Sequence, residues 1–68
     1  MNPNVTAKTL IKENFSIEYY KKVQARRRER LANWQKYKNT VLIKKEEELI
    51  EFGEKVLELM RIAYNKPS

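Results

Sequence analysis

The sequence predicts an all-α fold: a short N-terminal helix followed by an antiparallel helical hairpin that dimerises as a helical bundle. Three observations carry this. The chain of 68 residues has one glycine and two prolines, and the prolines lie near the ends, at Pro3 and Pro67. Its interior is filled with Lys, Glu, Leu, Arg and Ala, which favour helix. Period-two strand patterns and the Asn-Gly or Asp-Gly turns that join strands are missing from the sequence. The length allows one small domain, residues 1–68.

The elements follow from local signals. Residues 1–5 read as a frayed end. Thr6 is placed to cap a short helix ending at Asn14, the segment 6–14. Phe15-Ser16 breaks the helix, and Ser16 caps the next one, with Glu18 in the first turn where a negative charge is favoured. A basic helix then spans 17–38. Asn39-Thr40 is the second break, since both residues prefer caps to helix interiors. An amphipathic helix spans 41–64, and Asn65, Lys66 and Pro67 stop it.

Whether 17–64 is one rod or two arms is decided by the heptad pattern. From Ile17 the a and d positions are Tyr20, Gln24, Arg27, Leu31, Trp34, Lys38, Val41, Lys45 and Glu48, of which more than half are polar. A cleaner seam runs through Leu42, Leu49, Phe52, Val56, Leu59 and Ala63, one residue out of step with the first. A continuous coiled coil needs one sustained register, so a hairpin is expected. Its arms, of about 33 and 36 Å at roughly 1.5 Å per residue, match in length. The turn lacks the glycine that such connections often use.

The last helix is apolar over roughly 200°, where one neighbour needs little more than about 100°. Leu42, Leu49, Phe52, Gly53, Val56, Leu57, Met60 and Tyr64 lie within this arc. So wide an arc implies at least two neighbouring helices. A homodimer forming a four-helix bundle through these residues supplies the second. Gly53, in the middle of the arc, reads either as a close approach of two backbones or as a tolerated glycine costing about 1 kcal/mol.

Charge is uneven. The net charge is +6, yet residues 1–39 carry ten basic against three acidic side chains, a balance of +7. The densest run is Ala25-Arg26-Arg27-Arg28-Glu29-Arg30. With Lys21 and Lys22 it forms a candidate nucleic-acid-binding set: Lys21, Lys22, Arg26, Arg27, Arg28 and Arg30. Arginine suits this role because its planar fork makes bidentate contacts to phosphates and base edges. Arg27 and Arg30 fall on the apolar side of their helix, so they either pair with glutamates of the last helix or line a binding surface. Arg30 is also placed to stack on Trp34, four residues on.

The chain has no Cys, His or Asp. No nucleophile with a base, phosphate loop or soft metal site is present in it. Glu47, Glu51, Glu54 and Glu58 share a helix face, but it is the polar face and lacks the histidines of carboxylate metal sites. No enzyme activity, metal, cofactor or small-molecule substrate is expected. The longest apolar run, Val41-Leu42-Ile43, falls far short of the roughly 20 residues of a membrane span. A cytoplasmic, membrane-free location is the expectation.

Three functional classes remain. The first is a small regulator that binds DNA or RNA through the basic helix. The second is an adaptor or inhibitor of the phage or mobile-element kind, gripping a host protein or an acidic protein surface through Tyr19, Tyr20, Trp34 and Tyr37; aromatic and Arg side chains dominate interface energetics. The third is a structural subunit of a larger assembly.

Overall fold

The computed structural model describes residues 2–65, and these form three helices: α1 (Pro3–Lys12), α2 (Ile17–Lys36) and α3 (Thr40–Asn65). Met1, Lys66 and Pro67, to which the sequence assigned a frayed end and a stop, lie outside the described residues.

The first helix starts at Pro3, four residues before Ala7, the residue that follows the expected cap Thr6, so residues 3–5 are helical rather than frayed. Asn2 is its cap: the Asn2 Oδ1 accepts from the Asn4 amide at 2.9 Å, and Pro3 occupies the first helical turn. A proline there loses nothing, because that amide has no helical partner anyway. Thr6 is an interior residue, and its hydroxyl donates to the Asn2 carbonyl at 3.3 Å. Ser16 caps α2 as expected, accepting from the Tyr19 amide at 3.0 Å. Asn39 caps α3, its Oδ1 accepting from the Leu42 amide at 3.2 Å.

Both connections are Schellman turns built without glycine. After α1, the Phe15 amide donates to the Leu10 carbonyl at 2.9 Å and the Asn14 amide to the Ile11 carbonyl at 3.1 Å. After α2, the Asn39 amide donates to the Trp34 carbonyl at 3.0 Å and the Lys38 amide to the Gln35 carbonyl at 3.2 Å. The left-handed residue that such a turn requires is Asn14 (φ 63°) in one and Lys38 (φ 55°) in the other. The basic helix therefore ends at Lys36, two residues short of expectation, because Tyr37 and Lys38 are spent on closing the turn.

The hairpin is antiparallel. Partners across it run in opposite directions: Gln24 meets Ile50 and Glu54, Arg27 meets Leu49, and Arg30 meets Glu46. α1 packs on α3 rather than on α2. Pro3 lies in a cleft with Phe52, while at the other end the Tyr64 hydroxyl donates to the Phe15 carbonyl at 2.8 Å. So α1 runs alongside the C-terminal half of α3 only. The expectation that α3 touches two helices holds, but both belong to its own chain.

The apolar core sits where the three helices meet. Ala7 of α1, Tyr20 of α2, and Val56 and Met60 of α3 are buried, with Leu10, Ile11, Ile17, Phe52, Leu57 and Leu59 packed around them. Val56 and Met60 are 0% exposed. From residue 29 to residue 48, around the hairpin tip, Glu46 alone is buried. The described residues measure 48 × 21 × 17 Å overall, an elongated body with its core at one end.

Candidate nucleic-acid interface

The six cations expected to contact nucleic acid divide by helix face. Arg27 points into the hairpin seam. Its Nη1 donates to the Gln24 Oε1 at 2.7 Å and to the Leu49 carbonyl at 3.1 Å, and its guanidinium lies 5.6 Å from the Tyr20 ring centroid. Arg27 is thus a structural residue, held by carbonyls and an aromatic face rather than by a glutamate. Arg30 does pair across the hairpin: its Nε donates to the Glu46 Oε1 at 2.9 Å, while its side chain stays half exposed. The cation–aromatic pair is Arg27 over Tyr20, not Arg30 over Trp34. Arg28 bridges to Glu54 across the hairpin, and Lys21 reaches Glu18 at 3.7 Å within α2. Lys22 and Arg26 are exposed, and neither has an acidic partner among the described residues.

Behind Arg27 lies a polar contact that the sequence did not reveal. Gln24 is 1% exposed, and its Nε2 donates to the Ile50 carbonyl at 2.9 Å. Gly53 makes room for it: a β-carbon there would fall within 2.6 Å of the Gln24 Nε2 and closer still to its Oε1 and Cδ. The close approach at Gly53 is therefore real, but what approaches is a side-chain amide and not a second backbone.

The hairpin geometry exposes one line of α2. Tyr19, Lys22, Arg26, Arg30, Asn33 and Tyr37 follow one another at three- or four-residue steps, which stacks them on one helix face. All six are exposed, and of them Arg30 alone reaches across to α3, through its bond to Glu46. The spacing from Tyr19 to Tyr37 is roughly 27 Å, close to the rise of about eight base pairs of duplex. Tyr19 is braced at its end by stacking on Phe15, ring centroids 5.0 Å apart, and Tyr37 is 71% exposed at the other. The sequence reading missed Asn33, because a charge-run criterion does not see it; the step pattern does.

A second basic surface flanks the first. A cleft of about 400 Å³ between α2 and α3 is lined by Lys21, Arg28 and Arg61 around the single carboxylate of Glu54, with Ile17 and Leu57 as its apolar wall. Arg61 belongs to the helix read as an assembly element, and only the fold brings it beside the α2 cations.

The two other residue sets require correction. Among the aromatics expected to be exposed, Tyr20 is buried at 6% and packs in the core, and Trp34 is half buried. Of the residues expected at an oligomer interface, Gly53, Val56 and Met60 are buried inside the single chain, because α1 and Gln24 cover them. Tyr64 ties α3 to the α1–α2 turn. Leu42, Leu49, Phe52 and Leu57 are half buried.

Among the described residues, no three His, Cys, Asp or Glu side chains lie close enough to hold a metal ion, and no helix is long and apolar enough to cross a membrane. Comparison with protein-family models, with curated proteins and with solved structures finds no match for this chain.

Proposed function

We propose that this chain is a non-enzymatic regulator that grips the phosphate backbone of a nucleic-acid duplex through the outer face of α2. The observation that carries this reading is the line Tyr19, Lys22, Arg26, Arg30, Asn33 and Tyr37. It holds three cations, an amide and two terminal aromatics, and includes no acid. Phosphate contacts come mainly from such Arg, Lys, Asn and Tyr side chains. The Glu46 bond to the Arg30 Nε leaves the rest of that guanidinium fork for a ligand and holds it in place, which lowers the ordering cost of binding. Arg28, Lys21 and Arg61 add a positive flank that raises the local potential.

The reading accounts for the charge distribution. The acids of this half of the chain, Glu13, Glu18 and Glu29, lie off this line. Lys, Arg, Asn and Tyr side chains contact the phosphates of any duplex, so both duplex DNA and duplex RNA are substrates to test.

The test is titration of the protein into labelled duplex DNA and duplex RNA of mixed sequence at ~50 mM salt, with affinity followed as salt rises. Three line contacts predict a slope of log affinity against log salt of roughly −2.7 on B-DNA, from about −0.9 per phosphate. Arg26→Glu with Lys22→Glu should abolish binding of both while leaving helicity unchanged, since both side chains are exposed. A preference between the two duplexes assigns the nucleic acid. No binding to either at ~50 mM salt overturns the proposal.

A further inference from the structure

We infer that the uncovered edge of α3 near the hairpin tip is the docking surface for a second copy of this chain, in a two-fold antiparallel arrangement. One edge of α3 carries Val41, Lys45, Glu48, Phe52, Lys55 and Leu59 at three- and four-residue steps. α1 lies along the far part of this edge, where Phe52 and Leu59 pack against the core. It stops at Pro3, beside Glu48 and Phe52. Past that point the same edge continues uncovered, and Val41 is 74% exposed.

The tip is only partly enclosed by its own chain. Glu46 is its one buried residue, while Leu31, Trp34, Leu42 and Ile43 are only half buried. The Trp34 Nε1 and the Glu46 Oε2 are buried without a hydrogen-bond partner among the described residues. Chains of this size commonly recruit oligomerisation to complete a core.

The edge is complementary to itself, which selects a second copy as occupant. Lys45 and Glu48 are one turn apart. In an antiparallel pair of α3 helices, each Lys45 then faces the other copy's Glu48, closing two ion pairs about the two-fold axis. The same register has a second consequence. Val41 lies four residues before Lys45, and Phe52 lies four residues after Glu48, so each Val41 is carried to the other copy's Phe52. There the surface holds a cleft of about 280 Å³ lined by Pro3, Glu48, Glu51, Phe52 and Lys55. One register therefore satisfies the charges and places the most exposed valine against Pro3 and Phe52 of that cleft. The outer face of α2 takes no part, so the contact is independent of nucleic acid.

Sedimentation equilibrium of the full chain, in nucleic-acid-free buffer over a range of concentrations, tests this. A concentration-dependent dimer is expected. Val41→Arg should weaken it about tenfold or more. Lys45→Glu should weaken it too, and the charge exchange Lys45→Glu with Glu48→Lys should restore it, because the pair is re-formed with its signs reversed. These side chains are exposed, so far-UV circular dichroism should show unchanged helix in every variant. A monomer at all concentrations overturns the inference and leaves the edge to a different protein. A dimer indifferent to Val41→Arg, or one that the charge exchange fails to restore, overturns it as well.

Discussion

The two ends of the hairpin are built from different materials. At the α1 end, four buried side chains from three helices make an apolar core, and Val56 and Met60 lose all contact with solvent. At the tip, two helices face each other across Arg30 and Glu46, and the apolar residues stay half open. Two helices alone cannot enclose a side chain on every side; a third is needed, and α1 reaches only halfway along α3. Between the ends lies a polar bridge, Gln24 and Arg27 against the α3 backbone. The buried apolar side chains are thus concentrated in one half of the molecule. Regions with few buried apolar contacts open at lower cost than the rest.

Substitutions at the core, the polar bridge and the turns sharpen that contrast. The largest effect is expected at the core. Met60→Ala should cost about 2–5 kcal/mol, enough to unfold a chain this small, because a fully enclosed side chain leaves a cavity. Leu42→Ala, the same kind of truncation at the half-open tip, should cost about 1 kcal/mol for its smaller buried area. Urea unfolding of both variants at one low concentration measures the difference; equal losses would mean that the tip is packed as tightly as the core.

The polar bridge comes next. Gly53→Ala should destabilise by about 2 kcal/mol despite alanine's better helix propensity, because the new methyl displaces the Gln24 amide from the Ile50 carbonyl. In a Gln24→Ala background the sign should reverse, and Gly53→Ala should then stabilise by up to about 1 kcal/mol. The four-variant thermodynamic cycle isolates the coupling. Additive effects would show that the glycine serves something other than the glutamine.

The smallest effects are at the turns. Lys38→Gly should stabilise by about 1 kcal/mol, since a lysine in the left-handed region is strained and glycine is not. Asn14→Gly should gain only a few tenths of that, because asparagine tolerates the region. Thermal melts of the two variants give the ranking, and a loss of stability in Lys38→Gly would contradict it.

Much of the fold is legible in the sequence because its signals are local. Ser16 and Asn39 announce their helices by side-chain chemistry that needs no tertiary information. The Asn2-Pro3 start is equally local, an asparagine cap followed by a proline in the first helical turn. The hairpin follows from a register break between two apolar seams. What the sequence conceals is non-local. Tyr20 looks like an interface aromatic until Ala7 and Val56 are known to surround it. α3's wide apolar arc calls for two neighbours, but nothing in the arc says that α1 is one of them. The αL lysine is imposed by the closing of two long helices, not by its own preference. The Arg cluster could be read as cationic, while its division into an inward Arg27, paired Arg28 and Arg30, and open Arg26 depends on which way each turn of α2 faces.

The single glycine has a further consequence for how the chain finds its shape. Two amphipathic helices can slide past each other by a turn at modest expense, since apolar side chains tolerate many neighbours. Gln24 forbids that here. Its amide can lie flat on α3 at one place only, where the helix wall is missing a methyl group, and the chain holds one glycine in total. The pair works as a key and its notch. It sets the offset of the whole hairpin, so the alignment of Tyr37 and Val41 at the tip is decided some 20 Å away, about thirteen residues back along α2.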